Sequence, residues 1–214
     1  MRPRAVAFDL NGTLSQDEPI LCEIFMELFA EEGRPLSAEE YFAELAGLSD
    51  PEIVRTWLGR EYPAVDALVA ERVRRYRAAV AGGSTVSEQI QAAVRYTAER
   101  VSVAVVSGAA RVEVESVLDA AGLRASVAVI VSADDVTAGK PDPESYGLAL
   151  ACLDDDIHAE EVVVFEDTEA GVAAAKAAGM PCLAVLGTLT PERLGQADEI
   201  VERIDVDLMR RLLG

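Results

Sequence analysis

The chain has 214 residues, of which 50% are hydrophobic and 27% are charged. This profile is typical of a globular protein that is long enough for one α/β core with a small inserted or appended domain. The formal net charge of −19 disfavours nucleic acid and anionic membranes as partners, because like charges repel. A site for a phosphate group would therefore need local positive charge, from lysine or from a bound metal.

The remaining bulk features indicate a cytoplasmic protein. The longest apolar runs, such as residues 101–106 and 125–131, are far too short to span a bilayer. The apolar run at residues 5–8 ends at Asp9, so it does not form the core of a signal peptide. The three cysteines are widely spaced and form no CxxC pair, which argues against a disulfide framework. We expect a monomer or a homodimer without a membrane partner.

Short apolar runs recur along the chain, and helical patterns separate them. The runs are nearly continuous in hydrophobicity rather than alternating, which predicts strands that are covered on both faces. Strands that alternate with helices predict right-handed βαβ units in an α/β fold, a doubly wound, Rossmann-like parallel sheet. The predicted strands are residues 5–10, 101–106, 127–131, 162–165 and 183–186, with an edge strand at 199–201. The predicted helices between these strands are residues 112–121, 143–153 and 169–178.

A helical insert interrupts the alternation after the first strand. Residues 17–81 show helical periodicity and no convincing strand, and Gly82 and Gly83 then mark a flexible return to the core. The predicted helices of this part of the chain are residues 20–32, 38–46, 51–58 and 64–81, followed by 85–99. The sequence therefore predicts an α/β core domain from residues 1–15 and 83–214, with an inserted all-helical domain at 16–82.

Polar residues follow four of the predicted strands, at the sheet edge where open α/β folds bind ligands. Asp9 lies near the end of the first strand, Ser107 and the pair Glu166 and Asp167 come directly after a strand, and Lys140 lies in a loop beyond another. A carboxylate before a Gly-Thr turn suits a nucleophile or a metal ligand, and two acids at a buried strand end need a cation. Lysine and serine at such positions can bind phosphate oxygens.

Each residue also has an ordinary structural explanation. Asp9 can bond its own turn, Ser107 can cap the next helix, and a loop lysine is usually solvated. The acidic pair is the hardest to explain in this way, because acids prefer the surface to a buried strand end. Other enzyme classes fit less well: no G-x-S-x-G motif, dinucleotide-binding loop or Walker loop is present.

Four segments, taken in order, resemble the motifs of the haloacid dehalogenase superfamily. Residues 8–14, FDLNGTL, resemble the first motif, hydrophobic-Asp-x-Asp-Gly-Thr, and residues 106–108, VSG, resemble the second. Residues 139–144, GKPDPE, resemble the third motif, and residues 164–168, VFEDT, resemble the fourth. The resemblance covers the whole chain, and the insert looks like the α-helical cap of relatives of β-phosphoglucomutase and phosphoglycolate phosphatase.

The resemblance implies a Mg²⁺-dependent phosphatase that acts on small phosphorylated metabolites through an aspartyl-phosphate on Asp9. The catalytic residues that it implies are Asp9, Asn11, Ser107 and Lys140. The implied metal ligands are Asp9, the backbone carbonyl of Asn11, and Asp167, with Glu166 assisting. The predicted substrate-binding residues are Gly12, Thr13, Gly108, Gly47 and Arg55. The alternatives are a phosphomutase of the β-phosphoglucomutase type and a catalytically impaired homologue that binds Mg²⁺ and an anion.

The chain departs from the superfamily pattern at Asn11. That position normally holds the aspartate that protonates the leaving oxygen and later activates water. An amide cannot exchange a proton at useful pH, and losing a general acid–base group typically costs about 10²–10⁴-fold in rate. Three explanations follow from the sequence: an engineered substitution, a substrate whose leaving group needs no proton, such as an acyl phosphate, or a homologue retained for binding. Gln16 and Asp17 also stand where Asp-Ser is common.

The cap decides the substrate in this superfamily, so its polar residues are candidates for specificity. Gly47 and Arg55 are predicted to face the site. Arg72 and Arg75 lie one turn apart and can form a basic patch, but we interpret them as solvated or paired with Glu71.

Overall fold

The computed structural model describes residues 2–214, and it confirms the predicted α/β fold with a parallel sheet. The predicted core range starts at Met1, which lies outside the described residues. The strands are β1 (Ala5–Phe8), β2 (Ser102–Val106), β3 (Val129–Val131), β4 (Val162–Glu166), β5 (Cys182–Val185) and β6 (Glu199–Val201). They pair in parallel in the order β3-β2-β1-β4-β5-β6. The order reverses between β1 and β4, and this switch point is where such sheets bind ligands.

The central strands are apolar because both faces of the sheet are covered. In β1, Val6 and Phe8 join the hydrophobic cluster on the cap side, while Ala5 and Ala7 join the cluster on the opposite face. Phe8 stacks on Phe165 of β4, with ring centroids 5.1 Å apart. Alternate residues therefore anchor β1 to two separate layers, which fixes its register and the position of the residue that follows it.

The helices agree with the predicted order but not with every boundary. They are α1 (Glu18–Glu31), α2 (Ala38–Glu40), α3 (Asp50–Leu58), α4 (Val65–Val80), α5 (Glu88–Ala98), α6 (Arg111–Ala120), α7 (Glu144–Cys152), α8 (Glu169–Ala177) and α9 (Val206–Leu213). The helix predicted at 38–46 is split, because a π-helical turn, Tyr41–Leu45, follows α2. The helix predicted at 85–99 starts later, because Ser87 caps it by accepting a hydrogen bond from the Ile90 N–H.

The C-terminal helix α9 was not predicted. Its start is fixed by Asp205, whose Oδ1 accepts a hydrogen bond from the Leu208 N–H at 2.7 Å. Met209 and Leu213 are its buried residues, and the helix packs against α5. Both the capping residue and the apolar spacing were present in the sequence.

Helices α1 to α5 lie between β1 and β2 in the chain, and residues 17–81, which hold the first four of them, contain no strand, as predicted. Helices α1 and α3 each pack on α4, and the apolar side chains of this helical cap are continuous with one core cluster. The boundaries 16–82 for a separate domain stay a prediction. None of the helices among residues 2–214 combines the length and the apolar character that a membrane crossing requires.

Candidate active site

Three carboxylates meet at the switch point of the sheet. Asp9 follows β1, while Glu166 ends β4 and Asp167 follows it, and because β1 and β4 are paired the three acids are brought together. Each offers one carboxylate oxygen, and these atoms lie within 4.8 Å of one another. All three residues are buried, at 6%, 1% and 1% exposure. The predicted clustering of acids is therefore present in the structure.

Lys140 lies between two of these acids. Its Nζ donates to Asp9 Oδ1 at 2.6 Å, to Glu166 Oε1 at 2.5 Å and to the backbone carbonyl of Val106 at 3.0 Å. Tyr146 from α7 donates to the same Glu166 oxygen at 2.7 Å. One buried ammonium thus offsets part of the charge of three carboxylates, and the centre stays short of positive charge.

The pKa values of Asp9, Asp167 and Lys140 are all raised at this centre. Burial raises the pKa of Asp9 to about 7, against the opposing effect of the Lys140 ammonium. Burial also raises the pKa of Asp167 well above its usual range, and the charges of Asp9 and Glu166 add to the effect. Burial acts to lower the pKa of Lys140, but the two adjacent carboxylates outweigh it and raise that pKa. The centre therefore favours a further cation.

The turn after β1 supports Asp167. Thr13 donates from its hydroxyl to Asp167 Oδ1 at 3.1 Å, and the Thr188 hydroxyl bonds the other oxygen. Gly12 has a φ of +78°, and a Cβ there would overlap the Asp167 carboxylate. Gly12 and Thr13 were predicted to bind substrate, but they are not among the residues that line the cavity described below. The structure instead places them against the carboxylate of Asp167.

Asn11 is held by partners on both sides. Its Nδ2 donates to Asp17 Oδ2 at 3.0 Å, and its Oδ1 accepts from the Ser107 hydroxyl at 3.4 Å. Asp17 is fully buried and also accepts from the Tyr76 hydroxyl, whereas its Oδ1 has no partner among the described residues. Ser107 also accepts from the Ala109 N–H at 3.1 Å, so the predicted capping bond exists beside its contact with Asn11.

A cavity of about 220 Å³ connects this centre to the cap. Asp9, Ser107 and Lys140 line it on the core side, together with Gly108. The predicted cap residue Gly47 also lines the cavity: its φ is +89°, and a Cβ there would lie 2.8 Å from the Cβ of Thr168. Arg55 is exposed and is not among the lining residues, so the structure places it apart from the other predicted site residues.

The sequence interpretation of Arg72 was wrong, because this residue is neither solvated nor paired with Glu71. It is 3% exposed, its Nη2 donates to Asp50 Oδ1 at 3.0 Å, and its Nη1 donates to Glu113 on α6. It joins two cap helices to the core and lines the cavity. Arg75, by contrast, pairs with Glu71 as predicted, at 2.8 Å.

Glu18 and Tyr41 also line the cavity, and the sequence analysis predicted neither as a site residue. Glu18, at the start of α1, is 9% exposed and accepts from the Tyr41 hydroxyl at 2.8 Å. Burial raises the pKa of Glu18 to about 7. The sequence marked Glu18 and Pro19 only as the entry to the cap, because acids are common at a helix start for local reasons.

Replacement of Gly171 by alanine is expected to destabilise the chain by about 1–3 kcal/mol, because a Cβ there would overlap the Glu166 carboxylate. Gly147→Ala is the matched control. Gly147 is an exposed helical glycine with nothing within 4 Å of an added Cβ, so this change is expected to stabilise by up to about 1 kcal/mol. Urea unfolding of both variants gives the comparison. Equal stabilities would show that the Glu166 carboxylate is not confined by α8.

The parallel sheet, the buried acids at its switch point and the cavity under a helical cap make this an α/β protein with a carboxylate cluster at the ligand-binding edge of its sheet. The model of the haloacid dehalogenase-like hydrolase family matches residues 6–185, and the chain belongs to this family. It is 32% identical to validoxylamine A 7'-phosphate phosphatase from Streptomyces hygroscopicus subsp. limoneus, over 93% of each chain. It is 31% identical to phosphoglycolate phosphatase from Yersinia pseudotuberculosis, over 84% of this chain and 79% of that protein.

Among solved structures, the chain is similar to CbbY from Rhodobacter sphaeroides in complex with phosphate. The TM-score is 0.83 at 27% identity, and the match covers 96% of both chains. The predicted resemblance, the fold class and the hydrolase class are therefore confirmed.

Proposed function

We propose that the chain is a Mg²⁺-dependent phosphatase of small phosphorylated metabolites that forms an aspartyl-phosphate on Asp9. The observation that carries this proposal is the group of three buried carboxylates within 4.8 Å of one another, with Lys140 between two of them, at the base of a cavity. The names of the two similar phosphatases support the same class of reaction.

The donor set fits Mg²⁺. This ion prefers oxygen ligands and commonly takes one or two carboxylates together with water and substrate phosphate. Asp9, Asp167 and the backbone carbonyl of Asn11 would hold it, with Glu166 assisting, and the clustering of three buried carboxylates around one lysine supports a cation at this centre. The bound ion would neutralise charge on the phosphoryl oxygens.

The proposed reaction has two steps, and Asp9, Lys140 and Ser107 each have a role in it. A carboxylate oxygen of Asp9 attacks phosphorus, the bond from phosphorus to the leaving oxygen breaks, and Asp9 becomes an aspartyl-phosphate. Water then attacks that phosphorus, which releases inorganic phosphate and restores Asp9. Lys140 and Ser107 hold phosphoryl oxygens, and the buried site keeps these charges effective because water is largely excluded.

Asn11 limits this chemistry. Its amide is already committed to Asp17 and Ser107, and it has no proton to give to a leaving oxygen. Substrates whose leaving group needs no proton, such as acyl or aryl phosphates, should therefore react fastest with the chain as it stands. A phosphomutase of the β-phosphoglucomutase type also relies on an acid at this position, so Asn11 limits that alternative as well.

The deciding experiment is Mg²⁺-dependent phosphate release from acetyl phosphate, para-nitrophenyl phosphate and glucose 6-phosphate. We expect release from acetyl phosphate that is abolished by EDTA, restored by added Mg²⁺ and absent in Asp9→Ala. The thermal stability of Asp9→Ala provides the control for folding. If acetyl phosphate is cleaved equally by the parent chain and Asp9→Ala, or if no substrate is cleaved by a folded parent chain, the proposal fails in favour of a binding role.

A further inference from the structure

The cap end of the cavity is acidic. We use the name cap end for the part of the cavity that is lined by Glu18, Tyr41, Asp50 and Arg72. These residues lie on α1, the π-helical turn, α3 and α4. Three carboxylates stand here against one guanidinium once Glu113, the second partner of Arg72, is included. The core end of the cavity, with Asp9 and Lys140, is the part that the proposed function uses.

Both cations of the cavity are already paired twice. Lys140 bonds Asp9 and Glu166, and Arg72 bonds Asp50 and Glu113. Among the described residues that line the cavity, no other lysine or arginine is present. A second anionic group on a substrate would therefore find no unpaired cation at the cap end and would lie beside the carboxylates of Glu18 and Asp50. Such like-charge contacts are strongly unfavourable in a water-poor cavity.

Glu18 supplies an acceptor that lacks a donor. Its Oε1 accepts from the Tyr41 hydroxyl, whereas no hydrogen bond from residues 2–214 reaches its Oε2. The residue is nine-tenths buried and lines the cavity, so a donor on a ligand can satisfy this oxygen where bulk water reaches it poorly. Burial raises the pKa values of both Glu18 and Glu113 to about 7, because their charged forms are poorly solvated there.

We propose that the cap end binds a protonated amine on the leaving group, so that the preferred substrates are phosphate esters of amino-bearing polyols rather than compounds with a second anionic group. This inference rests on the proposed function only in placing the phosphate at Asp9 and Lys140. It concerns binding, and it is therefore separate from the rate limit that Asn11 sets.

Isothermal titration in the presence of Mg²⁺ tests the proposal with glucosamine 6-phosphate, glucose 6-phosphate and 2-phosphoglycolate. We expect glucosamine 6-phosphate to bind about 10-fold or more tightly than glucose 6-phosphate, as a hydrogen bond between charged groups allows, and phosphoglycolate to bind most weakly. Glu18→Gln is expected to reduce the ratio between the two sugar phosphates to near one. Glu23→Gln, which changes an exposed acid on the same helix, is expected to preserve that ratio.

The outcomes separate this inference from the proposed function. Tighter binding of phosphoglycolate, an unchanged ratio in Glu18→Gln, or no measurable binding of glucosamine 6-phosphate would overturn the inference, even if acetyl phosphate is cleaved in an Asp9-dependent way. Conversely, absence of phosphate release from every substrate would end the phosphatase proposal, while the order of affinities would still decide what the cap end recognises.

Discussion

Replacing Asn11 with aspartate and Asp17 with serine together is expected to raise phosphate release from glucose 6-phosphate by about 10²–10⁴-fold, the usual contribution of a general acid–base group. The double change is needed because Asn11 Nδ2 lies 3.0 Å from Asp17 Oδ2. With Asn11→Asp alone, a half-buried carboxylate would meet the buried carboxylate of Asp17 at this distance, and the two would share one proton. The single variant should therefore gain less, and its gain should be largest at low pH. The measurement is the rate of release under saturating Mg²⁺.

Three controls make this prediction specific. Asp17→Ser alone should gain nothing, and the double variant should lose its activity when Asp9 is also replaced by alanine. The rate on acetyl phosphate, whose leaving group needs no proton, should change far less than the rate on the sugar phosphate. If the double variant, shown to be folded by its thermal transition, releases phosphate no faster than the parent chain, then a missing acid is not what limits the rate.

Arg72→Leu is expected to lower the free energy of unfolding by about 3–5 kcal/mol, because it leaves two carboxylates buried without their cation. Asp50 and Glu113 are 8% and 1% exposed, and Glu113 Oε2 already has no partner among the described residues. Urea unfolding at neutral pH measures the loss. Lower pH should reduce it, since burial raises the pKa of Glu113 to about 7 and protonation removes its charge.

Arg74→Leu is the matched control for this prediction. Arg74 is on the same helix, its side chain is 68% exposed, and it pairs with Glu71 on the surface. Such a pair is worth about 0–1 kcal/mol. Similar losses for the two arginines would contradict the argument that Arg72 is the buried cation that joins the cap to the core.

The parts of the fold that the sequence predicted best are those fixed by local pattern. The central strands are buried on both faces, so nearly continuous apolar runs marked them to within one or two residues. The helix predicted at 38–46 was wrong in its interior, because Tyr41–Leu45 adopts a π-helical turn that periodicity does not distinguish from an α-helix. Helix α9 was missed although Asp205 offered a capping signal.

The candidate site was predicted well on its core side, whereas on its cap side Gly47 was predicted and Glu18, Tyr41 and Arg72 were not. Asp9, Ser107 and Glu166 adjoin strands whose order follows from a known topology, so their neighbours could be inferred from their place in the chain. The partners of Arg72 lie 22 and 41 residues away on helices whose packing no local pattern specifies. Its burial therefore became visible only with the three-dimensional arrangement of α3, α4 and α6.

The contact between Asn11 and Asp17 has an evolutionary consequence. Where the superfamily commonly has an acid at the first position and a hydroxyl at the second, this chain has an amide facing an acid. Aspartate at residue 11 alone would bring two carboxylates together, and serine at residue 17 alone would take from the amide its charged acceptor. Each single change therefore loses this contact, whereas both together give the acid and hydroxyl that the superfamily commonly has. Residues 11 and 17 are therefore expected to change together, and an alignment of relatives would show this as covariation of the two positions.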